Sequence, residues 1–412
     1  SRVDTIVPII TWNDLTYSLG PNNTGQTTGV TTSPPGVTKL TWGLGFSVLG
    51  MIDGLQNAQT DPSRLLLCPN FATFVCPALV VAGSLGFFDP ASEQSLRHAS
   101  VASYLDRIHV PTLLMQGQHD TLFNLNEAAA TYRALEDRGV PVRMIWQSWG
   151  HSSSAAAPGE FDLGNLDPDT QYETGRVANW FDHYLKDTGA DLGPAFAYFR
   201  DWIDYTGNAA PAYASSDTFP VGSAKKYYLS GSQLVASPLL LAKAAQTFLT
   251  APGGVPTNFS EIDAISYFSQ VPKLEYDVPG TSAQWNTAPL TEDVDVVGSP
   301  ELTLRVTSLT AALTQALGPA GQLVLFTRLQ DVAPDGTATD LRGLTAPVRI
   351  ADVTKPFTVT MPAVVYRFQP GHRIRLVVSA SSVNYRGGLT ANVVTVASGN
   401  AGQVLSLPVV AE

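Results

Sequence analysis

The sequence predicts an α/β domain followed by an all-β domain. In residues 106–187, short apolar runs alternate with amphipathic segments of helical period, which is typical of a parallel sheet with helices against it. From about residue 215 that helical period gives way to short alternating strands separated by turn residues, typical of a β-sandwich or jelly roll. With 412 residues, of which 44% are hydrophobic, the chain can fill two or three domain cores.

The first hundred residues lack the alternation of strands and helices. The chain opens with an apolar run, Val3 to Ile10, which predicts a buried strand of a sheet. In residues 13–105, turn-rich segments alternate with amphipathic stretches such as Leu40 to Leu55. We therefore expect 13–105 to be a helical insertion into an α/β domain formed by 1–12 and 106–206.

Residues 106–187 carry the clearest elements. The apolar run Val110 to Gly117 predicts a central parallel strand, and Val142 to Trp146 predicts the next one. Between them, Asn124 and Glu127 have the spacing of a capping box for a helix from Leu125 to Asp137. A second amphipathic helix is indicated by apolar residues at helical spacing: Val177, Trp180, Phe181, Tyr184 and Leu185.

The C-terminal part, 215–412, is predicted to be a β jelly roll. A Gly-, Ala-, Pro- and Ser-containing stretch from Gly207 to Asp217 is the expected linker. Turns are expected at Pro334–Gly336 and Gln369–His372. The clearest alternating strands are Glu301–Val306, Leu323–Leu329, Phe357–Met361 and Arg373–Val378.

Composition excludes several classes of protein. A formal net charge of −11 without a basic patch argues against nucleic acid as a partner. No apolar run is long enough for a membrane span. Few lysines, many small polar residues and an acidic balance favour a secreted protein. Cys68 and Cys76 are either a short-loop disulfide or two buried thiols; they cannot hold a structural zinc alone, and they do not have the Cys-x-x-Cys redox spacing.

Two polar residues follow the two predicted central strands. Asp120 comes after the first strand and His151 after the second, so both are expected at the edge where parallel strands end. Acyl-transfer hydrolases need a nucleophile, a base and an acid that orients the base, and α/β-hydrolases carry them in the order Ser, Asp or Glu, His. Asp120 and His151 fit the last two places. The alternative is a purely structural role, in which each residue only caps a loop.

The nucleophile of that arrangement has no good match in the chain. The motif Gly-x-Ser-x-Gly is absent, and the nearest approach is Ala82–Gly86 with Ser84, after a possible strand. Pro90 breaks the helix that should follow it. Ser47 lacks the second glycine. We therefore expect the serine to lie outside this chain.

The residues around Asp120 and His151 resemble a known family. The stretches 105–123 and 149–152 are similar to the X-Pro dipeptidyl-peptidase and cocaine-esterase-like acyl hydrolases, and 298–302, 329–336 and 370–376 are similar to that family's C-terminal domain. The resemblance implies the C-terminal part of an α/β-hydrolase sheet, a helical cap, and a galactose-binding-like jelly roll that walls the active site. It implies no metal and no organic cofactor.

The same resemblance implies a serine hydrolase that cleaves esters or amide bonds after proline through an acyl-enzyme. The nucleophile would lie on the order of a few tens of residues before Ser1. A polypeptide carrying it is then an expected partner, and the chain would be active only with that segment. Trp12 and Phe123 would line an acyl pocket or would only pack. The alternative is a non-catalytic binding or structural protein that uses the jelly roll.

Overall fold

The structure is a computed structural model that describes residues 3–32, 35–65, 68, 70–153, 155–259 and 276–411. In these ranges the α-helices are α1 (Leu15–Leu19), α2 (Leu40–Asn57), α3 (Val75–Leu85), α4 (Pro90–His98), α5 (Leu125–Glu136), α6 (Tyr172–Lys186) and α7 (Leu309–Thr314). Short 3₁₀ turns span Pro62–Leu65, Val101–Ser103, Leu105–Arg107, Ala210–Ala212, Pro238–Leu240, Pro252–Gly254, Gln315–Leu317, Pro319–Gly321 and Leu341–Gly343.

The strands fall into a small group before residue 217 and a large group after it. The first group is β1 (Gln26–Thr28), β2 (Thr31–Thr32), β3 (Thr112–Gly117), β4 (Val142–Gln147), β5 (Phe196–Phe199) and β6 (Tyr213–Ser216). The second group is β7 (Ser223–Ser230), β8 (Gln233–Val235), β9 (Ala244–Leu249), β10 (Ser282–Asn286), β11 (Val294–Gly298), β12 (Glu301–Leu304), β13 (Val306–Thr307), β14 (Leu323–Val332), β15 (Ala338–Asp340), β16 (Ala346–Ile350), β17 (Phe357–Thr360), β18 (Val364–Phe368), β19 (Arg373–Ser379), β20 (Val393–Ser398) and β21 (Val404–Val410).

The first sheet has the order β3-β4-β5-β6. Strands β3, β4 and β5 are parallel, as the alternating pattern predicts, and β6 adds antiparallel to β5. The expectation that 207–217 is a linker is wrong at its C-terminal end, because Tyr213–Ser216 is this fourth strand. The strand has only four residues, two of them serines, so nothing in its composition separates it from a loop.

Residues 6–9 extend this sheet on the other side of β3. Ile6 and Ile9 form parallel bridges to Thr112 and Met115, and Met115 N donates to Pro8 O over 3.0 Å. The side chains of 6–10 are half-buried, so the prediction of a buried strand is wrong in its degree of burial. Because Pro8 has no N–H, the pairing is confined to two bridges instead of a continuous ladder.

The segment between this edge and β3 is helical over most of its described length. The helix predicted at 40–55 is confirmed as α2. The possible strand before Ala82 is not formed. Residues 78–81 lie in α3 instead, which continues to Leu85 and ends at Gly86 with a positive φ of 80°. Ser84 therefore sits in the last turn of a helix and not on a strand-to-helix turn.

Helix α5 follows β3 and covers the sheet. Asn124 caps its N-terminus by accepting a hydrogen bond from Asn126 N over 3.0 Å. The predicted capping box is nevertheless wrong in its second half, because Glu127 does not act locally. Its carboxylate accepts hydrogen bonds from Asn13 N at 2.8 Å and Asp14 N at 3.1 Å. Glu127 thus ties α5 to the segment that leads into the helical region.

The C-terminal part is all-β apart from short helices, as predicted; α7 was not expected. The described strands form one large sheet, in which β14, β19, β10, β8, β7, β21 and β11 are successive neighbours, and a smaller sheet β13-β20-β9. Buried side chains such as Trp285, Phe248 and Leu376 fill the core. A second apolar cluster joins the two parts, because Val297 and Val365 pack with Trp146 of β4. None of the described helices combines the length and the apolar character that a membrane crossing requires.

Candidate active site

Asp120 and His151 meet beyond the ends of β3 and β4. The Nδ1 atom of His151 lies 2.8 Å from Oδ2 of Asp120. Asp120 follows β3 by three residues and His151 follows β4 by four, so the parallel register of the two strands delivers both side chains to one edge. The sequence prediction that these two residues lie together is confirmed by this distance.

The carboxylate of Asp120 is held on both oxygens. Its Oδ1 accepts hydrogen bonds from Leu122 N at 3.0 Å and Phe123 N at 2.7 Å. With Asp120 0% exposed, the remaining Oδ2 faces only His151. A carboxylate can only accept, so His151 Nδ1 donates, and Nε2 is left as the basic nitrogen. The His151 side chain is 28% exposed, which leaves the ring within reach of solvent.

Two glycines make the close approach of these loops possible. A Cβ on Gly117 would lie 2.0 Å from Trp149 O, and one on Gly150 would lie 2.8 Å from Asp120 Cβ. Neither position has room for a side chain. The end of β3 and the residue before His151 therefore pack backbone against backbone, which fixes where the imidazole emerges.

A cluster of aromatic side chains packs against one side of the imidazole. The edge of Phe123 meets His151 with ring centroids 5.0 Å apart, and Trp12 packs on Phe123 at 5.3 Å. Trp42 of α2 belongs to the same cluster, and its Nε1 donates to Thr121 Oγ1 over 3.2 Å. The structure thus brings the two predicted pocket residues together, with Phe123 against His151 and Trp12 behind Phe123.

A buried carboxyl pair supports the residues just before His151. Glu160 accepts hydrogen bonds from Ser148 N at 2.8 Å and Ala157 N at 3.0 Å, and also from the hydroxyls of Ser148 and Tyr213. Glu173 accepts from the indole of Trp149. Burial, and then the neighbouring Glu160, raise the pKa of Glu173 well above its usual value, which favours the neutral form of this side chain.

His119 bridges the two parts of the chain. Its Nδ1 lies 2.8 Å from Ser148 O and must donate, since a carbonyl only accepts. Its Nε2 then accepts from Arg342 Nη1 at 3.0 Å. Arg342 also binds Asp201 at 2.7 Å, so a residue of the C-terminal part braces the loop that carries Asp120. His119 thus has a structural position between the two parts.

The two serines considered as nucleophiles, and two carboxylates that follow His151 in the chain, are not brought to His151. Ser84 Oγ donates to Val80 O over 2.7 Å and Ser47 Oγ to Gly43 O over 2.8 Å, so both hydroxyls return to their own helices. Asp162 and Asp167 are exposed and accept hydrogen bonds from nearby backbone N–H groups.

Sequence reasoning missed several buried polar residues that shape this edge. Glu127, Glu160 and Glu173 are each at most 1% exposed and hold separate loops together. Their only sequence signal is an acidic residue on or beside an apolar helix face, which surface residues show equally often. A second carboxylate–imidazole contact was also missed: His372 Nδ1 lies 2.9 Å from Asp331 Oδ1, and Tyr366 donates to the other oxygen.

Cys68 and Cys76 are bonded, with Sγ atoms 2.04 Å apart. They lie in the helical region, between α2 and the start of α3, and not at the Asp120–His151 edge. Across the described ranges, no three His, Cys, Asp or Glu side chains gather closely enough to hold a metal ion.

Two family models match the chain. The model of the X-Pro dipeptidyl-peptidase (S15 family) matches residues 88–153, which include Asp120 and His151. The model of the X-Pro dipeptidyl-peptidase C-terminal non-catalytic domain matches residues 201–387. No curated protein matches the chain at a significant level.

Solved structures share the fold at low sequence identity. An aminopeptidase from the marine sediment archaeon Thaumarchaeota archaeon is 15% identical with a TM-score of 0.65, covering 99% of this chain and 72% of its own. A CocE/NonD family hydrolase from Staphylococcus aureus is 13% identical with a TM-score of 0.60, covering 100% and 68%. An α-amino acid ester hydrolase is 18% identical with a TM-score of 0.55, covering 77% and 58%.

These neighbours have the same combination of an α/β part and a β part, and all of them are longer than this chain. The two family models fall on the two parts that the structure distinguishes, the first over the Asp120–His151 edge and the second over the β strands. The chain therefore belongs to the X-Pro dipeptidyl-peptidase and CocE-like family of hydrolases.

Proposed function

We propose that this chain supplies the base and the orienting acid of a serine hydrolase, with His151 as base and Asp120 as acid. The observation that carries the proposal is the 2.8 Å contact between His151 Nδ1 and Asp120 Oδ2. Because the other carboxylate oxygen is held by Leu122 N and Phe123 N, Asp120 cannot turn away. The arrangement fixes the tautomer in which Nε2 of a partly exposed imidazole accepts a proton.

The chemistry follows from that tautomer. A serine hydroxyl attacks the carbonyl carbon of the substrate while its proton passes to His151 Nε2. The buried carboxylate of Asp120 stabilises the imidazolium that forms. The imidazolium then protonates the leaving alcohol or amine, and an acyl-serine remains. Water repeats the sequence and releases the acid. Nucleophile, His151 and Asp120 would form the catalytic triad, acting on esters or on amide bonds after proline.

The proposed nucleophile lies outside residues 1–412. Ser84 and Ser47, the two serines that the sequence singles out, bond back to their own helices. The segment 6–9 pairs in parallel with β3, and Trp12 follows it directly to the edge that holds His151. We propose that polypeptide carrying the serine completes the sheet beside this segment and makes the site active.

The aromatic cluster, the β part and the disulfide are assigned roles in the same proposal. The cluster of Trp12, Phe123 and Trp42 beside His151 would receive the apolar part of the acyl group. The β part, as a jelly roll, would wall the site and brace it through Arg342 and His119. The Cys68–Cys76 bond suits an exported protein, since disulfides persist in oxidising compartments.

The test is labelling with a fluorophosphonate, which reacts with activated serines, followed by denaturing mass spectrometry. The sample is the purified protein with every polypeptide that accompanies it. We expect an adduct on a serine outside residues 1–412, and loss of that adduct when His151→Ala is introduced. An adduct on Ser84 would overturn the placement of the nucleophile. An adduct that survives His151→Ala would refute the role of His151, and no adduct at all would favour a binding protein.

A further inference from the structure

The β part has a polar cleft that lies apart from the Asp120–His151 edge. Its volume is about 520 Å³. Most of its lining comes from the edges of β8, β10, β14 and β19 and from the turn between β14 and β15. The polar side chains that line it are Ser232, Gln233, Asn286, Thr287, Arg373 and Arg375.

The strand register explains why polar groups gather there. Gln233 pairs with Asn286, Asn286 with Arg375, and Arg375 with Gln330, so four strands place polar side chains in one row. Along β19 the side chains alternate: Ile374 and Leu376 are fully buried in the core, while Arg373 and Arg375 point to the opposite face. Gln233, Asn286 and Arg375 therefore line the cleft side by side, while Gln330 lies buried next to Arg375.

The two arginines of this surface are held by hydrogen bonds to uncharged groups. Arg373 Nη1 donates to Thr287 O over 2.9 Å, and Arg375 Nε donates to Asn286 Oδ1 over 2.7 Å. Among the residues that the structure describes, neither guanidinium forms an ion pair. Other arginines of the β part do: Arg328 pairs with Asp340 at 3.0 Å and Arg367 with Asp295 at 2.7 Å.

Arg373 and Arg375 place two positive charges at this cleft in a chain of net charge −11. Burial, and then the nearby Arg328, lower the pKa of Arg375, and the carboxylate of Asp277 offsets this only in part. The turn at the rim contains Asp335, but its carboxylate accepts a hydrogen bond from Thr337 N at 2.9 Å. An anion in the cleft would form the ion pair that neither Arg373 nor Arg375 makes with a described residue.

We propose that this cleft is a second binding site, for a ligand that carries a carboxylate flanked by hydroxyl or amide groups. Arg373 and Arg375 would bind the carboxylate, because the planar guanidinium matches it with two parallel hydrogen bonds. Gln233, Asn286 and Ser232 would bind the flanking polar groups, since amide and hydroxyl side chains both donate and accept. An acidic sugar and the C-terminus of a peptide both have this chemistry.

The test is isothermal titration calorimetry on the 412-residue chain with two pairs of probes. One pair is D-galacturonate and its methyl ester; the other is N-acetyl-Ala-Ala with a free carboxylate and the same peptide as an amide. We expect one carboxylate to bind, and its neutral counterpart to bind at least about tenfold more weakly, a difference of about 1.4 kcal/mol. Whichever carboxylate binds identifies the source of the ligand.

Variants locate the binding. Arg375→Gln and Arg373→Gln should each weaken it about tenfold or more, whereas Arg305→Gln, an exposed arginine outside the cleft, should not change it. If the arginine variants unfold, Ser232→Trp fills the cleft from an exposed rim position and leaves both arginines in place. His151→Ala should bind normally. Absence of binding by both carboxylates, equal binding of the neutral probes, or full binding by Ser232→Trp would each overturn the proposal.

Discussion

The carboxyl group of Glu173 straddles the indole N–H of Trp149, with its two oxygens 3.1 and 3.2 Å from Nε1. Trp149 stands two residues before His151, so this contact fixes the approach of the chain to the imidazole. Glu160 holds the preceding residue, Ser148, through both its backbone N–H and its hydroxyl. The two acidic side chains therefore hold two successive residues of the loop that leads to His151.

The two contacts predict different responses to substitution by glutamine. Glu173→Gln should fold with nearly unchanged stability, because the raised pKa of Glu173 favours its neutral form and glutamine is a neutral isostere. Glu160→Gln should cost about 3 kcal/mol, since an NH₂ group cannot accept the hydrogen bonds from Ser148 and Ala157. Urea unfolding of the two variants at pH 7 makes the comparison. Equal destabilisation would show that the protonation assignment is wrong.

The Asp120–His151 contact predicts a change of tautomer in Asp120→Asn. If the NH₂ group of asparagine takes the place of Oδ2, His151 Nδ1 must accept and the proton moves to Nε2. Nitrogen-15 NMR of the histidine side chains on this chain should show that exchange. In protein that carries the nucleophile, kcat should fall by about 10⁴, as for a base held in the wrong tautomer.

The matched control for that substitution is Asp162→Asn, which removes an exposed carboxylate from the loop after His151. We expect it to leave the His151 tautomer and the reaction rate unchanged. A His151 spectrum identical in Asp120→Asn and in the unsubstituted chain would contradict the proposed role of Asp120.

The close packing at Gly150 predicts that Gly150→Ala is destabilising. Its added Cβ would lie 2.8 Å from Asp120 Cβ and 2.9 Å from His119 O, so the loop must move. We expect a loss of about 2 kcal/mol in the free energy of unfolding, together with weaker fluorophosphonate labelling. Thermal unfolding and labelling rates measure the two effects.

Gly83→Ala provides the comparison. This glycine lies inside α3, where its added Cβ meets only Leu40 Cδ1 at 3.6 Å, and alanine favours helix. The variant should gain about 0.5 kcal/mol of stability. If both alanine variants behaved alike, the backbone contact at Gly150 would not be what positions the loop.

Glu127 predicts a pH-dependent stability. Burial raises its pKa from 4.5 to about 7, with Asp14 adding a smaller effect in the same direction. The folded protein therefore holds this proton more tightly than the unfolded chain does. Its contribution is fully present below pH 4.5 and is lost as the pH rises to about 7, a fall of about 3 kcal/mol.

Urea unfolding between pH 4.5 and 7.5 tests this slope. Glu127→Gln should remove that part of the fall, because its amide oxygen still accepts from Asn13 N and Asp14 N and its NH₂ can donate to Ser18. Glu136→Gln, at the other end of α5, should keep the slope of the unsubstituted chain. A slope unaffected by Glu127→Gln would assign the pH dependence to another group.

Local patterns were sufficient where one face of an element decides its structure. The apolar run before Asp120 and the helical spacing of α2 and α6 are read directly from neighbouring residues. They failed where the partner is remote in sequence. Tyr213–Ser216 is a strand because it pairs with the open edge of β5. Glu127 has the sequence spacing of a capping residue, but in the fold it binds the backbone of Asn13 and Asp14 instead.

The sequence by itself determined the order of the parts, the two strands that precede Asp120 and His151, and the placement of these two residues at one edge of the sheet. These depend on periodicity and on residues that directly follow strand ends, which are local properties. Only the tertiary structure decided which carboxyls are buried, which glycines touch another backbone, and that Arg375 shares a row with Asn286 and Gln330. Those facts depend on which strands lie side by side. Hydrogen bonds between residues far apart in the chain produce no periodic pattern in the sequence.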